Sequence, residues 1–292
     1  MKKVGIIDNY ISNFHSNTYY DLFHKIAEEE GREEYVISHV YAKLDKSPST
    51  NETTDEWCAR TGAKKCDTPR EVCDAVDVIM VLSPNNPELH RELVEDAFRS
   101  GKLVYVDKTF APDYKTAREI DAFSKSVGAR YWSSSAVRFD PVLLPYLKGE
   151  GGRVESAVAA GSNVFAIYSI HLIEMLNTVM GNGAASVTCL SGGKNLIFKI
   201  DYRDGRCAFY HQMIQASGVP FYISLDTENE RCLRLECSSE FWRGFARGLL
   251  DYFDTGVSYV DTESTIECIA VRSAMKCAME NIGTAVAVEG AV

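Results

Sequence analysis

Two kinds of apolar spacing alternate along the first half of this chain. Residues 77–86 and 101–108 hold short, continuous runs rich in Val, Ile and Leu, which suits strands buried on both faces of a parallel sheet. Between them Leu89, Leu93, Ala97 and Phe98 recur at helical spacing, with Glu92, Glu95 and Arg99 elsewhere, and Gly101 is placed as the C-cap. The segment reads as a strand–helix–strand crossover. Ligands in open parallel sheets sit beyond the carboxyl ends of the strands, where Ser83, Pro84, Asn85, Asp107 and Lys108 emerge.

The same alternation extends on both sides. Apolar runs at 4–7 and 35–42 predict two strands, and the spacing of Tyr19, Leu22, Phe23, Ile26 and Ala27 predicts a helix over 18–30 that ends near Gly31. A polar, punctuated loop is expected at 45–55, a helix at 56–61 stopped by Gly62, and a short helix at 69–75. A helix over 114–126, a strand over 129–133 and a helix over 141–147 follow.

Gly149-Glu-Gly-Gly152 marks the expected domain boundary. Beyond it come strand-like runs at 154–160, 186–190, 196–202, 206–211, 221–225 and 232–237, several separated by tight turns such as Arg203-Asp204-Gly205. Helices are expected at 166–179, 241–254 and 264–281. The expected fold is α/β: a doubly wound parallel sheet over residues 1–150, then an α+β domain with a mostly antiparallel sheet over 151–292.

Composition narrows the function classes. At 292 residues the chain can bury two ordinary cores, and no apolar run approaches the roughly 20 residues needed to span a bilayer. A soluble, cytoplasmic protein is expected. A formal net charge of -10 without a basic run argues against nucleic acid and anionic membrane surfaces as partners. Nine cysteines with no Cys-x-x-Cys, and no histidine pair at ligand spacing, argue against a disulfide framework or a zinc site. No metal is expected.

Several of these segments together resemble the glucose-fructose oxidoreductase, inositol dehydrogenase and MocA family (Gfo/Idh/MocA). The resemblance rests on 77–86 followed by His90, on Ser100-Gly-Lys-Leu-Val-Tyr-Val-Asp-Lys108, on Arg138-Phe139-Asp140-Pro141, on Ile170-His-Leu-Ile-Glu174 and on 245–256. It covers almost the whole chain and implies a nicotinamide-binding Rossmann domain followed by an open-faced sheet, often an oligomer contact surface. NADP or NAD, a sugar-like or polyol substrate and a homo-oligomer are the expectations it brings.

The resemblance also assigns residues. Lys108 is similar to the family lysine near the nicotinamide and the substrate hydroxyl. His171 matches the catalytic histidine, and an imidazole exchanges protons near neutrality. Glu174, three residues on, is expected to orient or charge it. Where the family often has an aspartate this chain has Ile167; Tyr168 either substitutes for it or packs in the core. His15 and His90 are expected to be architectural, and Arg138 with Asp140 to border the pocket or form an ion pair.

The chain departs from the family at the diphosphate turn, usually glycine-rich so that backbone N–H groups can approach the phosphates. Here the turn is Asp8-Asn-Tyr-Ile-Ser-Asn-Phe-His15, so Asp8, Tyr10, Ser12 and Asn13 become the cofactor-side candidates. A carboxylate at Asp8 about 4 Å from a phosphate would cost on the order of 4 kcal/mol at an effective dielectric of about 20. The acidic residue that usually ends the second strand is replaced by Tyr41-Ala42-Lys43, and Lys43 with Lys46 would favour a ribose 2′-phosphate. Two functions follow: an oxidoreductase moving hydride to or from a sugar, cyclitol or related polyol, or a catalytically silent relative that binds a small molecule or partner.

Overall fold

The computed structural model describes residues 1–214, 216, 220–228 and 233–290, which divide into two compact units. The first comprises residues 1–112, 118–133 and 246–258; the second comprises 113–117, 134–245 and 259–292. The glycine-rich stretch at 149–152 lies within the second unit, and segment 246–258 belongs with the first.

A six-stranded parallel sheet forms the first unit, in the order β3-β2-β1-β4-β5-β6. Its strands are β1 (Lys2–Asp8), β2 (Tyr35–Ala42), β3 (Lys64–Lys65), β4 (Val78–Val81), β5 (Leu103–Val106) and β6 (Arg130–Trp132). Helices α1 (Phe14–Glu30), α2 (Thr54–Thr61), α3 (Pro69–Ala75), α4 (His90–Arg99) and α5 (Tyr114–Val127) connect them. β4 and β5 are buried along their whole length, which accounts for their continuous apolar runs. Gly5 admits α3 against β1, since a Cβ there would come within 2.5 Å of Val72. α1 begins four residues before its predicted start, because Asn13 rather than the apolar spacing sets its N-cap.

The second unit carries a seven-stranded sheet in the order β12-β11-β7-β10-β9-β8-β13. Its strands are β7 (Val154–Ser162), β8 (Ala184–Gly192), β9 (Asn195–Tyr202), β10 (Cys207–Met213), β11 (Tyr222–Thr227), β12 (Leu233–Glu236) and β13 (Ala285–Ala287). The strand predicted over 232–237 begins at Cys232, which lies outside the described residues. One neighbour pair, β7 with β10, is parallel, so the sheet is mixed. The short α6 (Leu144–Leu147) precedes it, and α7 (Phe165–Met180), α8 (Phe241–Thr255) and α9 (Thr262–Glu280) complete the elements. Alternating burial along β9 and β10 gives the sheet one packed face and one half-exposed face. Among the described residues no helix is long and apolar enough to cross a membrane.

Candidate active site

The strand ends of the first unit gather five of the predicted residues, Ser83, Pro84, Asn85, Asp107 and Lys108. Beyond β4 the chain turns through Ser83, a non-glycine residue in the left-handed region (φ 80°), whose hydroxyl donates to Asn86 O at 3.1 Å. His90 faces Leu82 O with Nε2 and Phe110 O with Nδ1, tying the end of β4 to the segment after β5. Its architectural expectation agrees with this placement. Lys108 is only 4% exposed, and its ammonium donates to Pro84 O at 3.1 Å, so it is not a surface lysine. Asn85 in the same turn is exposed.

Asp107 is wholly buried, accepting from Tyr105 Oη at 3.0 Å and from Lys108 N at 2.9 Å, with His15 Nδ1 2.8 Å from its other oxygen. Burial by itself would push this carboxyl up; His15, Lys108 and His90 outweigh that and hold it at about 2. Burial likewise pulls the His15 imidazole down, opposed by Asp107.

The turn after β1 differs from its expectation. Asp8 does not line the turn: it is fully buried, accepting from Asn9 N at 2.6 Å and from Asn13 Nδ2 at 2.9 Å. Burial pushes its pKa up to about 8, so near neutrality it is largely uncharged. The repulsion expected of an ionised carboxylate is correspondingly reduced. Asn13 caps α1, accepting from His15 N and Ser16 N, two of the amides that a diphosphate would meet at this helix end, and donates to Tyr10 O. Ser12 donates to Glu52 and accepts from Thr50 Oγ1 at 2.9 Å. Asn9 Nδ2 donates to Asn86 Oδ1 at 3.2 Å, joining the turns after β1 and β4 at the point where the strand order reverses.

Lys43 sends its ammonium to both carboxylate oxygens of Glu92, at 2.6 and 2.8 Å, which offsets the charge by which it would favour a 2′-phosphate. Ser83, Pro84 and Asn85 lie at the ligand end of β4, where a bound nicotinamide would be held. At the diphosphate end Asn13, Ser12 and Asn9 must exchange their present partners for phosphate oxygens.

In the second unit His171, half-buried on α7, has Nδ1 2.6 Å from the hydroxyl of Ser135. Glu174 lies three residues further along α7. Its carboxylate accepts from Ser135 N at 2.7 Å and Arg138 Nε at 2.6 Å. Arg138, fully buried, also donates to Thr178 Oγ1 at 2.8 Å and Asn177 Oδ1 at 3.0 Å. Its expected partner Asp140 instead accepts from Ser238 N at 2.7 Å. Tyr168 stands edge-on to His171, with ring centroids 5.6 Å apart. Sequence reasoning missed Ser135; its only signal was the serine triplet 133–135.

Residues 4–135 match the model of an oxidoreductase family with an NAD-binding Rossmann fold. An uncharacterized oxidoreductase of Escherichia coli, YdgJ, is 34% identical over 88 residues, which are 28% of this chain and 25% of that protein. The matched segment thus spans a quarter of that relative's length. Among solved structures, myo-inositol 2-dehydrogenase from Lactobacillus plantarum has a TM-score of 0.76 at 14% identity, covering 99% of each chain. Levoglucosan dehydrogenase, in complex with NADH and levoglucosan, has a TM-score of 0.77 at 13% identity, again covering 99% of each. At such identities the likeness is one of fold.

Proposed function

Residues 4–135 belong to the Gfo/Idh/MocA oxidoreductase family with an NAD-binding Rossmann fold, and on that premise we propose that this chain moves hydride between NAD or NADP and a hydroxyl or carbonyl carbon of a small sugar-like or cyclitol-like ring. The observation that carries the proposal is a buried lysine at the ligand end of a parallel strand, Lys108, held by the carbonyl of Pro84. When bound, the nicotinamide supplies the two-electron hydride acceptor or donor. Lys108 polarises the substrate oxygen through its ammonium. Within the second unit His171, whose ring is fixed at Nδ1 by Ser135, would take up a hydroxyl proton in oxidation and return it in reduction. Asp107 holds the backbone N–H of Lys108 and so positions the lysine without touching substrate. A homo-oligomer formed through the half-exposed face of the seven-stranded sheet is part of the same proposal.

Titration of the protein with NADH and NADPH, followed by nicotinamide fluorescence, tests this reading. Binding in the micromolar range is expected, together with loss of turnover in Lys108→Met by roughly 10² or more while dinucleotide affinity stays within a few fold. Absence of binding at millimolar dinucleotide would favour a second reading, a catalytically silent relative. The contacts of Asn13, Ser12 and Asn9 across the diphosphate turn are the observation behind that alternative.

A further inference from the structure

The imidazole of His171 is framed by aromatic and aliphatic groups of its own unit. Phe221, just before β11, lies 5.5 Å from it at 43°, and 6.5 Å from the Tyr168 ring. Beneath Phe221 sits Gly161 of β7, where an added Cβ would come within 2.6 Å of the phenyl ring, so the absence of a side chain is what admits the ring. Ile167 and Val164 continue the same face of α7 toward its start, Ile167 half-buried and Val164 46% exposed. Tyr168, His171 and Phe221 are each half-buried, so this is an accessible wall rather than sealed core.

We infer that the substrate ring turns an apolar C–H or aryl face to Tyr168 and Phe221 and carries few hydroxyls toward Ile167. It is a deoxygenated or aryl-bearing cyclic alcohol or ketone rather than a fully hydroxylated one. The inference rests on His171 being the proton-carrying group. A hydroxyl pressed against Ile167 or a ring face gives up water without gaining a partner, which costs about tenfold or more in affinity for each such group. An apolar face in the same place gains by leaving water.

Cyclohexanol and myo-inositol share a six-membered carbocycle and differ in hydroxyl number, so they make the test. Each is titrated into the full chain labelled with ¹⁵N-histidine, and the His171 ring resonance, assigned by its loss in His171→Gln, reports binding. Cyclohexanol is expected to bind at least about tenfold more tightly than myo-inositol. Phe221→Ser should abolish that advantage. Ile167→Asp, which places an acceptor one turn from His171 in the first turn of α7 where a negative charge is tolerated, should shift the ratio about tenfold toward myo-inositol.

Equal or tighter binding of myo-inositol, no response of His171 to cyclohexanol, or a ratio unchanged in both variants would overturn the inference. NADH fluorescence on the same samples separates the two readings. Dinucleotide binding with a lost or reversed ratio retires the apolar wall alone; a preserved ratio without dinucleotide binding retires the oxidoreductase reading alone.

Discussion

The hydroxyl of Ser135 and Nδ1 of His171 lie 2.6 Å apart, and the backbone N–H of the same serine is held by the buried carboxylate of Glu174. Arg138 in turn pairs with that carboxylate, so a fully buried ion pair reaches the imidazole through one serine. In the proposed reaction Glu174 is a positioning residue acting through Ser135.

Removal of the hydroxyl should loosen the ring without removing it. Ser135→Ala is expected to lower kcat about tenfold with KM little changed, less than the roughly 10² to 10⁴ lost when the acid/base group itself is deleted. Ser135→Thr should restore kcat. A kcat identical to that of the unsubstituted protein would leave the serine a merely structural role.

Breaking the buried pair has a different signature. Arg138→Met strands a carboxylate in a site that is nearly closed to water, which typically costs about 3 to 5 kcal/mol of stability. Denaturant unfolding should show most of that loss, and pairing the change with Glu174→Leu should recover a substantial part of it. Equal instability in the single and double variants would argue that packing, rather than charge, dominates there.

Asp8 makes stability depend on pH. Its folded-state pKa is raised from 3.8 to about 8, so between these values the folded protein binds more protons than the unfolded chain. The contribution is fully present below about pH 4 and is lost as pH rises through about 8, with a slope of at most about 1.4 kcal/mol per pH unit for one proton. Asp8→Asn should flatten that slope in unfolding titrations between pH 4 and 8.

Glu52 tests what restrains the diphosphate turn. It accepts from Ser12 and from Arg60, and the Arg60 hydrogen bond holds its carboxyl below the usual range, so it is ionised beside the turn. Glu52→Ala frees the Ser12 hydroxyl and removes a negative charge, and NADH affinity should rise several-fold, more at low salt than at high. Unchanged affinity at low salt would show that Ser12 does not meet the phosphates.

The spacing of apolar residues was enough to place most elements. β2 and α3 coincide with the segments predicted at 35–42 and 69–75, and β4 and β5 lie within their continuous runs, because burial on both faces leaves a pattern that does not depend on distant partners. Lys108 was legible for the same reason, since a strand end on the ligand side follows from chain direction alone. Pairing was not legible: the parallel contact of β7 with β10, and the two-residue β3, depend on neighbours remote in sequence.

The partners of the candidate residues were likewise decided only by the fold. Sequence spacing put Glu174 on the face of His171, but the tertiary structure gave its carboxylate to Ser135 and Arg138, 39 and 36 residues earlier. It also buried Asp8 beneath its turn instead of exposing it to a phosphate. Local periodicity reports which side of an element faces inward. Hydrogen-bond choice and ionisation depend on which groups arrive from elsewhere and how much water they exclude, and that is a property of the folded chain.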